Sequence, residues 1–386
     1  MLIDGWIVRA MSLSETPKHC VIYDWRRHCE VEYLSLKEKG AGSMKFDYII
    51  GNPPYQDETL GDNKGYAPPI YHRFMDGCYE VSDHVELIHP ARFLFNAGST
   101  PKAWNQKMLQ DPHLKVLHYE HDASKMFNNT DIKGGVAITY HDSTQEFGAI
   151  RTFTAYEALN SILQRVQNNS FESFSSIVVT RTAYRLTDRL HQEHPEALGQ
   201  LSNGHAYDMS TNIFERLPQI FYEEEPDDAF EYIRILGRVG NARVYKYVRR
   251  DYVNNVPNLY KYKIYLPKAN GVGTLGEVLA PPILSEPGVG ATETFLSIGA
   301  FNTKNEAEYA LKYIKTKFAR ILLGVLKTTQ DITPQKWFYV PMQNFTSLSD
   351  IDWTLPVSEI DRMLYEKYSL DDKEIEFIES MAKEMT

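Results

Sequence analysis

Along the first third of the chain, the spacing of apolar residues alternates between that of a β-strand and that of an α-helix. The apolar run Lys45–Ile50 predicts a short buried strand, which ends abruptly at Gly51-Asn52-Pro53-Pro54 because two prolines cannot continue a β-ladder. The elements predicted after it are a helix carrying Ile70, Phe74 and Cys78, a strand at 84–89, helical residues within 91–110, and strands near 116–121 and 135–141. This alternation is typical of an α/β sheet.

The pattern changes from about Ser170 to short tyrosine-rich strands and turns, which predicts a second domain. Within it, apolar residues at 3-4-3-4 spacing predict one long helix near Asn305–Val325. Asp371 to Glu374 has the form of a capping box, and Ile375, Ile378 and Met381 share one face of the helix that it opens. We predict an irregular lead-in over 1–44, a first domain over 45–168, a second over 169–346 and C-terminal helices over 347–386.

Composition excludes several classes of protein. At 386 residues, with 43% hydrophobic and 24% charged residues, the chain has the profile of a globular protein of two to three domains. It has no apolar stretch near the length of a membrane span and no signal-peptide layout, so we expect a cytoplasmic protein. Cys20, Cys29 and Cys78 are too scattered for disulfides or a zinc ribbon, and we predict no metal site.

The net charge of −10 argues against a nucleic-acid partner, but the charge is unevenly distributed. Between Arg238 and Lys268 there are eight Lys or Arg residues against one acid, Asp251. The run from Tyr260 to Gly271 interleaves basic and aromatic residues, which can meet phosphates and bases. An ordinary exposed strand of a β-rich domain is the alternative explanation.

The residues with the clearest chemistry are Asn52-Pro53-Pro54-Tyr55, directly after the predicted strand. The lone pair of an aromatic amino group is delocalised, so an enzyme that methylates it must hold both N–H bonds with acceptors. The Asn52 side-chain oxygen and the Pro53 carbonyl suit this role, and the two prolines would keep them aimed. Tyr55 would stack on the extruded base. A merely rigid turn is the structural alternative.

These residues resemble motif IV of the gamma-class amino-methyltransferases, and FDYIIGNPPYQ resembles the adenine-specific methylase domain of fused restriction–modification enzymes. The resemblance continues through Pro69–Phe74 and Leu87–Leu94. Met126-Phe127 with Asp131–Val136 resembles motif VIII, which implies that Phe127 supports the flipped base opposite Tyr55. A core role for Phe127 is the alternative.

The second half resembles the target-recognition domain of the same family through KYKIYLPKANGVG, Gly290–Phe295 and Thr328–Thr333. The resemblance, from about Lys45 to the C-terminus, implies double-stranded DNA as partner. The candidate DNA-binding residues are Arg249, Arg250, Lys261, Lys263, Lys268, Asn270, Thr274 and Thr292. Gly271–Gly276 matches a dinucleotide fingerprint, but Pro281-Pro282 leaves no room for the required helix, so we predict a recognition loop.

The resemblance also implies S-adenosylmethionine as cofactor, held by three βα units before the Asn-Pro-Pro-Tyr strand. Such units need on the order of 90 residues, whereas only 45 precede Phe46. We therefore expect the cofactor residues to be largely missing. The chain would then be a truncated gene product, one partner of a split enzyme whose other polypeptide supplies these residues, or a fragment of a larger enzyme. No Glu-x-Lys tripeptide occurs, which argues against a nuclease centre.

The predicted fold class is α/β: a partial Rossmann-like methyltransferase sheet, then an α+β target-recognition domain with a helical C-terminal tail. The predicted function is a site-specific adenine-N6 DNA methyltransferase of a restriction–modification system. The alternatives are a non-catalytic DNA-recognition module and a methyltransferase acting on a glutamine amide or on cytosine N4. The methyltransferase alternatives rest on the same chemistry of a planar, conjugated nitrogen. The recognition module rests on the basic second domain.

Overall fold

A computed structural model describes residues 2–3, 6–10, 20–24, 29–32, 46–56, 68–127, 132–168, 171–327 and 329–385. The chain divides into two units between Asn160 and Ser161. The first 44 residues contribute four strands to an antiparallel sheet of order β1-β2-β3-β4, namely β1 (Leu2–Ile3), β2 (Trp6–Ala10), β3 (Cys20–Asp24) and β4 (Cys29–Glu32). This sheet corrects the irregular lead-in predicted over 1–44, because strands of two to five residues are too short for their periodicity to be visible.

The main sheet of the first unit has the order β5-β6-β8-β7. Its strands are β5 (Ile49–Gly51), β6 (His84–Pro90), β7 (Leu114–Glu120) and β8 (Val136–Asp142). β5 and β6 are parallel, whereas β8 runs antiparallel to both β6 and β7. β5 lies at the end of this sheet, and the loop that begins at Asn52 follows its carboxyl end.

Two helices precede and follow β6: α1 (Tyr71–Val81) and α2 (Lys102–Gln110), with a 3-10 turn at Ala91–Phe95. Met75 and Met108 of these helices and Phe93 of the turn are buried in one core with Ile49 and Leu114 of the sheet. The predicted alternation of strand and helix over this part of the chain is confirmed. The first strand is shorter than predicted, and Ile50 is 63% exposed because its side chain points away from this core.

Gly77 lies inside α1 on its exposed side, and a Cβ placed there meets no atom within 4 Å. Alanine costs a helix less backbone entropy than glycine, so we expect Gly77→Ala to raise the free energy of unfolding by about 0.8 kcal/mol. Chemical denaturation of the two proteins measures this. A loss of stability would mean that the side of α1 at Gly77 is packed.

The second unit contains two sheets, of orders β11-β10-β14 and β13-β12-β15-β9. Tyr265 of β12 and Phe295 of β15 belong to its core together with Ile235 of β10. The strands are β9 (Val178–Val179), β10 (Tyr232–Val239), β11 (Ala242–Arg249), β12 (Tyr262–Pro267), β13 (Ile283–Ser285), β14 (Val289–Ala291) and β15 (Phe295–Phe301). All pairs are antiparallel except β10 with β14.

Helix α3 (Glu157–Asn168) crosses the division between the units. The helices that follow it are α4 (Asp188–Glu193), α5 (Ala197–Gln200), α6 (Ile213–Arg216), α7 (Lys304–Lys315), α8 (Lys317–Gly324), α9 (Val357–Lys367) and α10 (Asp372–Met381). The capping box predicted at Asp371 and Glu374 is confirmed. The mixture of sheets and helices confirms the α/β fold class.

The single long helix predicted near Asn305–Val325 is wrong, because the chain breaks at Thr316 into α7 and α8. Thr316 has ψ 148°, and its hydroxyl accepts a hydrogen bond from the Ala319 N–H. The buried Asp361 carboxylate accepts from the Lys317 and Phe318 N–H groups, at 3.0 Å each. These acceptors satisfy the free N–H groups of a new helix, which stabilises the break.

Two kinds of feature are not found among the described residues. No helix there is long and apolar enough to cross a membrane. No group of three or more His, Cys, Asp or Glu side chains in the same ranges is arranged to hold a metal ion.

Candidate active site

The loop after β5 begins at Asn52, and hydrogen bonds hold its far side to the start of α1. The Tyr55 carbonyl accepts from the Ile70 N–H at 3.1 Å, and Gln56 pairs with Pro69 across an isolated bridge. Asn52 and Pro54 are exposed, whereas Pro53 and Tyr55 are half-buried. The loop thus presents the Asn52 amide at the carboxyl end of a parallel strand, the edge where ligands bind in open α/β sheets.

The structure brings the rings of Tyr55 and Phe127 into contact. Their ring centroids are 6.5 Å apart and their planes meet at 71°, an edge-to-face contact. A base held between two parallel rings needs about 7 Å, two layers of van der Waals contact. The present geometry therefore closes the space between the rings, and a base could stack on both only after one ring turns.

The Tyr55 hydroxyl is buried and has no hydrogen-bond partner among the described residues. Burial also raises the pKa of Tyr55 to about 12, so the phenol stays neutral. An unsatisfied buried hydroxyl lowers the stability of the folded protein. Either the fold tolerates this loss, or a bound ligand supplies the missing hydrogen-bond partner.

Two substitutions separate the ring of Tyr55 from its hydroxyl. Tyr55→Phe is expected to keep or raise stability, by roughly 1 kcal/mol, because the unsatisfied group is removed. Tyr55→Ala is expected to lower kcat/KM for methyl transfer by roughly 10- to 100-fold, because base stacking is worth about 1–3 kcal/mol. Denaturation and initial rates measure the two effects. A large rate loss in Tyr55→Phe would assign the hydroxyl a role in catalysis.

Behind the loop, β6 is connected to α1 and β8 through the fully buried His89. Its ring stacks on Tyr71 at 5.9 Å with an interplanar angle of 6°. One ring nitrogen lies 2.8 Å from the Thr139 hydroxyl, and the other lies 3.2 Å from the Pro90 carbonyl. Burial lowers the pKa of His89 to about 4, so the imidazole is neutral, donating to Pro90 and accepting from Thr139. The apolar pattern of β6 did not indicate this role.

The turn before β8 is shaped by two glycines of the motif that includes Phe127. Gly135 has φ +75°, and a Cβ there would lie 2.3 Å from the Glu120 carbonyl oxygen. The Gly135 carbonyl accepts from the Ala91 N–H, and Arg92 donates to the Lys133 carbonyl. These contacts fix the ends of β6, β7 and β8 beside the Tyr55 loop.

Residues 18–127 match the family model described as Eco57I restriction-modification methylase. Over these residues the chain is thus similar to a restriction–modification methylase domain, in line with the predicted resemblance. The matched segment contains both the Asn52–Tyr55 loop and Phe127. It begins well before Lys45, so the resemblance extends further toward the N-terminus than predicted, and the model does not reach the second unit.

Two individual proteins align with this chain, one by sequence and one by structure. The chain is 28% identical over 116 residues to an "Uncharacterized adenine-specific methylase" of Mycoplasma pneumoniae, a match to 30% of this chain. The chain spans only 28% of the length of that relative. Among solved structures, the type IIG restriction endonuclease BpuSI aligns over 82% of this chain and 48% of its own, with 10% identity and a TM-score of 0.28.

Outside the matched segment, several predicted DNA-binding residues are buried. Arg249 is 8% exposed, and its guanidinium donates to Asp251 at 3.1 and 2.6 Å and to Glu193 at 2.7 Å. The same group lies 3.6 Å from the ring centroid of Phe230. Its charge is already paired within the protein, so the Arg249 guanidinium is not offered to a DNA phosphate.

Lys263 is fully buried within β12. Its ammonium group donates to the carbonyls of Leu259, Lys261 and Glu286 at 2.9–3.1 Å. Burial lowers the pKa of Lys263 to about 7. The side chain thus ties β12 to neighbouring turns and is not available to a phosphate.

The two polar candidates Asn270 and Thr292 are also buried, at 4% and 0% exposure. Asn270 braces its own loop by donating to the Val278 carbonyl at 3.2 Å and by accepting from the Ala280 N–H. Thr292 donates to the Thr294 hydroxyl at 3.1 Å. Both residues shape turns, and neither presents its side chain to solvent.

Four candidates remain accessible: Arg250, Lys261, Lys268 and Thr274. Arg250 donates to the Tyr260 hydroxyl, and Lys261 donates to Asn302. None of the three cations has an acidic partner within the ranges that the structure describes. Within the basic run from Tyr260 to Gly271, Lys263 is therefore buried. The accessible charges of this run are those of Lys261 and Lys268, on either side of Lys263.

The glycine-rich run Gly271–Gly276 forms a loop, and the next element is strand β13, not a helix. Glu277 accepts hydrogen bonds from the Val272 and Gly273 N–H groups and pairs with the buried Lys327. The N–H groups that would meet a phosphate in a dinucleotide site are thus occupied by a carboxylate. The tip of the loop is open, since Val272 is 78% exposed.

Proposed function

We propose that this chain carries the base-binding and DNA-recognition parts of an adenine-N6 DNA methyltransferase of a restriction–modification system. The observation that carries the proposal is the Asn52–Tyr55 loop, held at the carboxyl end of β5 inside the segment that matches the methylase family. The same segment places Phe127 against Tyr55.

In this proposal, the base amino group donates its two N–H bonds to the Asn52 side-chain oxygen and the Pro53 carbonyl. Holding both hydrogens turns the nitrogen lone pair away from the ring system and toward the methyl donor. The consecutive prolines limit the motion of the loop, which lowers the entropy cost of aiming these acceptors. Tyr55 and Phe127 then hold the flipped base after Phe127 turns out of its edge-to-face contact.

The cofactor side of the reaction does not fit the described residues. Methylases of this family in general use S-adenosylmethionine, which supplies the methyl group. The resemblance implied a cofactor site built from βα units, whereas β1 to β4 are joined in an antiparallel sheet. We assign no described residue to the cofactor.

The open edge of β5 supports a proposal for where the remaining part of the site lies. Among the described residues, β5 pairs only with β6, and Ile50 is 63% exposed. Unpaired strand edges are usually covered or otherwise protected in folded proteins. We propose that protein outside the described residues, in this polypeptide or a partner, covers this edge and completes the cofactor site.

The test is methyl transfer from radiolabelled S-adenosylmethionine to DNA from a methylation-free host, followed by nucleoside analysis. N6-methyladenine as product supports the proposal. N4-methylcytosine would reassign the base, and label in protein would indicate amide methylation. DNA binding without any transfer, even when a cofactor-binding partner from the same operon is added, would favour the non-catalytic recognition module.

A further inference from the structure

The hairpin formed by β10 and β11 has an unusual pair of residues near its tip. Its register places Arg238 directly opposite Arg243, so both side chains leave the same face. Like charges directly opposite one another destabilise a hairpin. Neither arginine has an acidic partner within 4 Å in the described part of the chain, unlike Arg234, Lys246 and Arg249 of the same hairpin.

The tip projects beyond the rest of its sheet. β14 pairs with β10 only from Arg234 to Leu236, and the next residue, Gly237, packs against Phe214 and Thr292. All six residues from 238 to 243 are exposed. At roughly 3.3 Å per residue, two residues of each strand and the turn extend on the order of 10 Å.

The tip is also stiff. Gly240 and Asn241 form a two-residue turn with φ +56° at Gly240, typical of a type II′ hairpin. Arg238 donates to the Asn241 carbonyl at 3.2 Å, and Arg243 donates to the Pro281 carbonyl at 2.9 Å. Each guanidinium has five N–H donors, so most of them remain for a ligand.

Acidic and basic residues are unevenly distributed along the hairpin. The acidic run 223–228 lies along the part farther from the tip, where Glu223 pairs with Lys246 and Asp228 accepts from the Tyr232 hydroxyl. Tyr245, on the same face as the two arginines, is 39% exposed. The tip is thus the end of the hairpin where basic side chains lack acidic partners among the described residues.

We propose that the β10–β11 hairpin is a DNA-binding ribbon whose tip enters the major groove, with Arg238 and Arg243 as its cationic contacts. The major groove is about 12 Å wide and 8.5 Å deep and admits a two-stranded β-ribbon. The tip has the length and charge that this contact requires. The inference rests on the proposed function, because it takes duplex DNA as the substrate, and it assigns the contact to residues other than those first predicted.

The glycine-rich loop lies beside this ribbon. Arg243 donates to Pro281, which follows that loop, and buried Arg320 donates to the Gly276 carbonyl at 2.8 Å. These hydrogen bonds hold the C-terminal end of the loop, while Val272 and Thr274 are exposed. The segment that follows the loop is thereby linked to the hairpin through the Arg243–Pro281 hydrogen bond.

The experiment is fluorescence anisotropy of the full chain with a labelled mixed-sequence duplex of about 30 base pairs, over roughly 50–200 mM KCl. The variant is Arg238→Gln with Arg243→Gln, which removes two charges but keeps polar side chains of similar reach. The control for net charge is Lys304→Gln with Arg362→Gln, two exposed cations on α7 and α9 that pair with Glu308 and Glu359 and whose loss changes net charge equally.

We expect the hairpin variant to bind more weakly and to lose about two units of slope in log K against log salt, whereas the control keeps the wild-type slope. Its thermal midpoint should be equal or higher, because the opposed charges are gone. Equal slopes in both double variants would overturn the hairpin assignment while leaving DNA as substrate. No duplex binding by the unaltered chain would instead overturn the proposed function, and the hairpin assignment with it.

Discussion

Replacing Asn52 by alanine is expected to lower the rate of methyl transfer by about two to three orders of magnitude. The amide oxygen is one of two acceptors proposed for the base amino group, and loss of one oriented hydrogen-bonding group in a transition state costs roughly 10²- to 10³-fold in kcat. Because Asn52 is exposed, its removal leaves no cavity, and the midpoint of unfolding should not change.

The assay is the transfer of radiolabel to unmethylated DNA, in the preparation where the unaltered protein is active. Gln56→Ala is the matched control, since Gln56 is an exposed amide of the same loop whose pairing with Pro69 uses the backbone. It should keep activity within a few-fold. Unimpaired turnover by Asn52→Ala would remove Asn52 from the catalytic loop, whatever the control does.

Gly135→Ala is expected to lower the free energy of unfolding by about 3 kcal/mol or more. Gly135 has φ +75°, where a residue with a Cβ costs roughly 1–2 kcal/mol. The new methyl group would also lie 2.3 Å from the Glu120 carbonyl oxygen and 2.9 Å from the His121 Cα, both backbone atoms. Strands β7 and β8 would have to separate at the end that holds the Phe127 turn.

Gly134→Ala provides the control for backbone strain alone. Gly134 has φ +89°, but its new Cβ would approach only the Arg92 side chain, at 3.0 Å, which can move. We expect a loss of about 1–2 kcal/mol there. Denaturant titration of the three proteins measures both effects. Equal losses at the two positions would show that the close approach of β7 to Gly135 contributes nothing.

The features of the first unit that sequence predicted well are local. The strand before Asn52, the helix at Tyr71–Val81 and the strands β6, β7 and β8 each depend on residues a few positions apart, whose spacing is visible in the chain. The capping box at Asp371 is local in the same sense. The resemblance then added the partnership of Tyr55 with Phe127, which spacing alone does not indicate.

The features that sequence missed depend on residues far apart. Nothing in the pattern around Thr316 indicates a helix break, because the Asp361 carboxylate that stabilises it comes from α9. The buried state of Lys263 depends likewise on the Leu259 and Glu286 carbonyls that surround its ammonium group. A count of basic residues cannot distinguish such a lysine from one that meets a phosphate.

The sequence by itself determined the α/β character of the first unit and predicted a chemistry for the Asn52–Tyr55 loop, since both follow from the order of neighbouring residues. Only the tertiary structure decided which charges are free. It paired Arg249 with Glu193 and Asp251, and left Arg238 and Arg243 unpaired on a projecting hairpin. The reason is physical, because the cost of leaving a charge unpaired depends on the groups that folding brings around it.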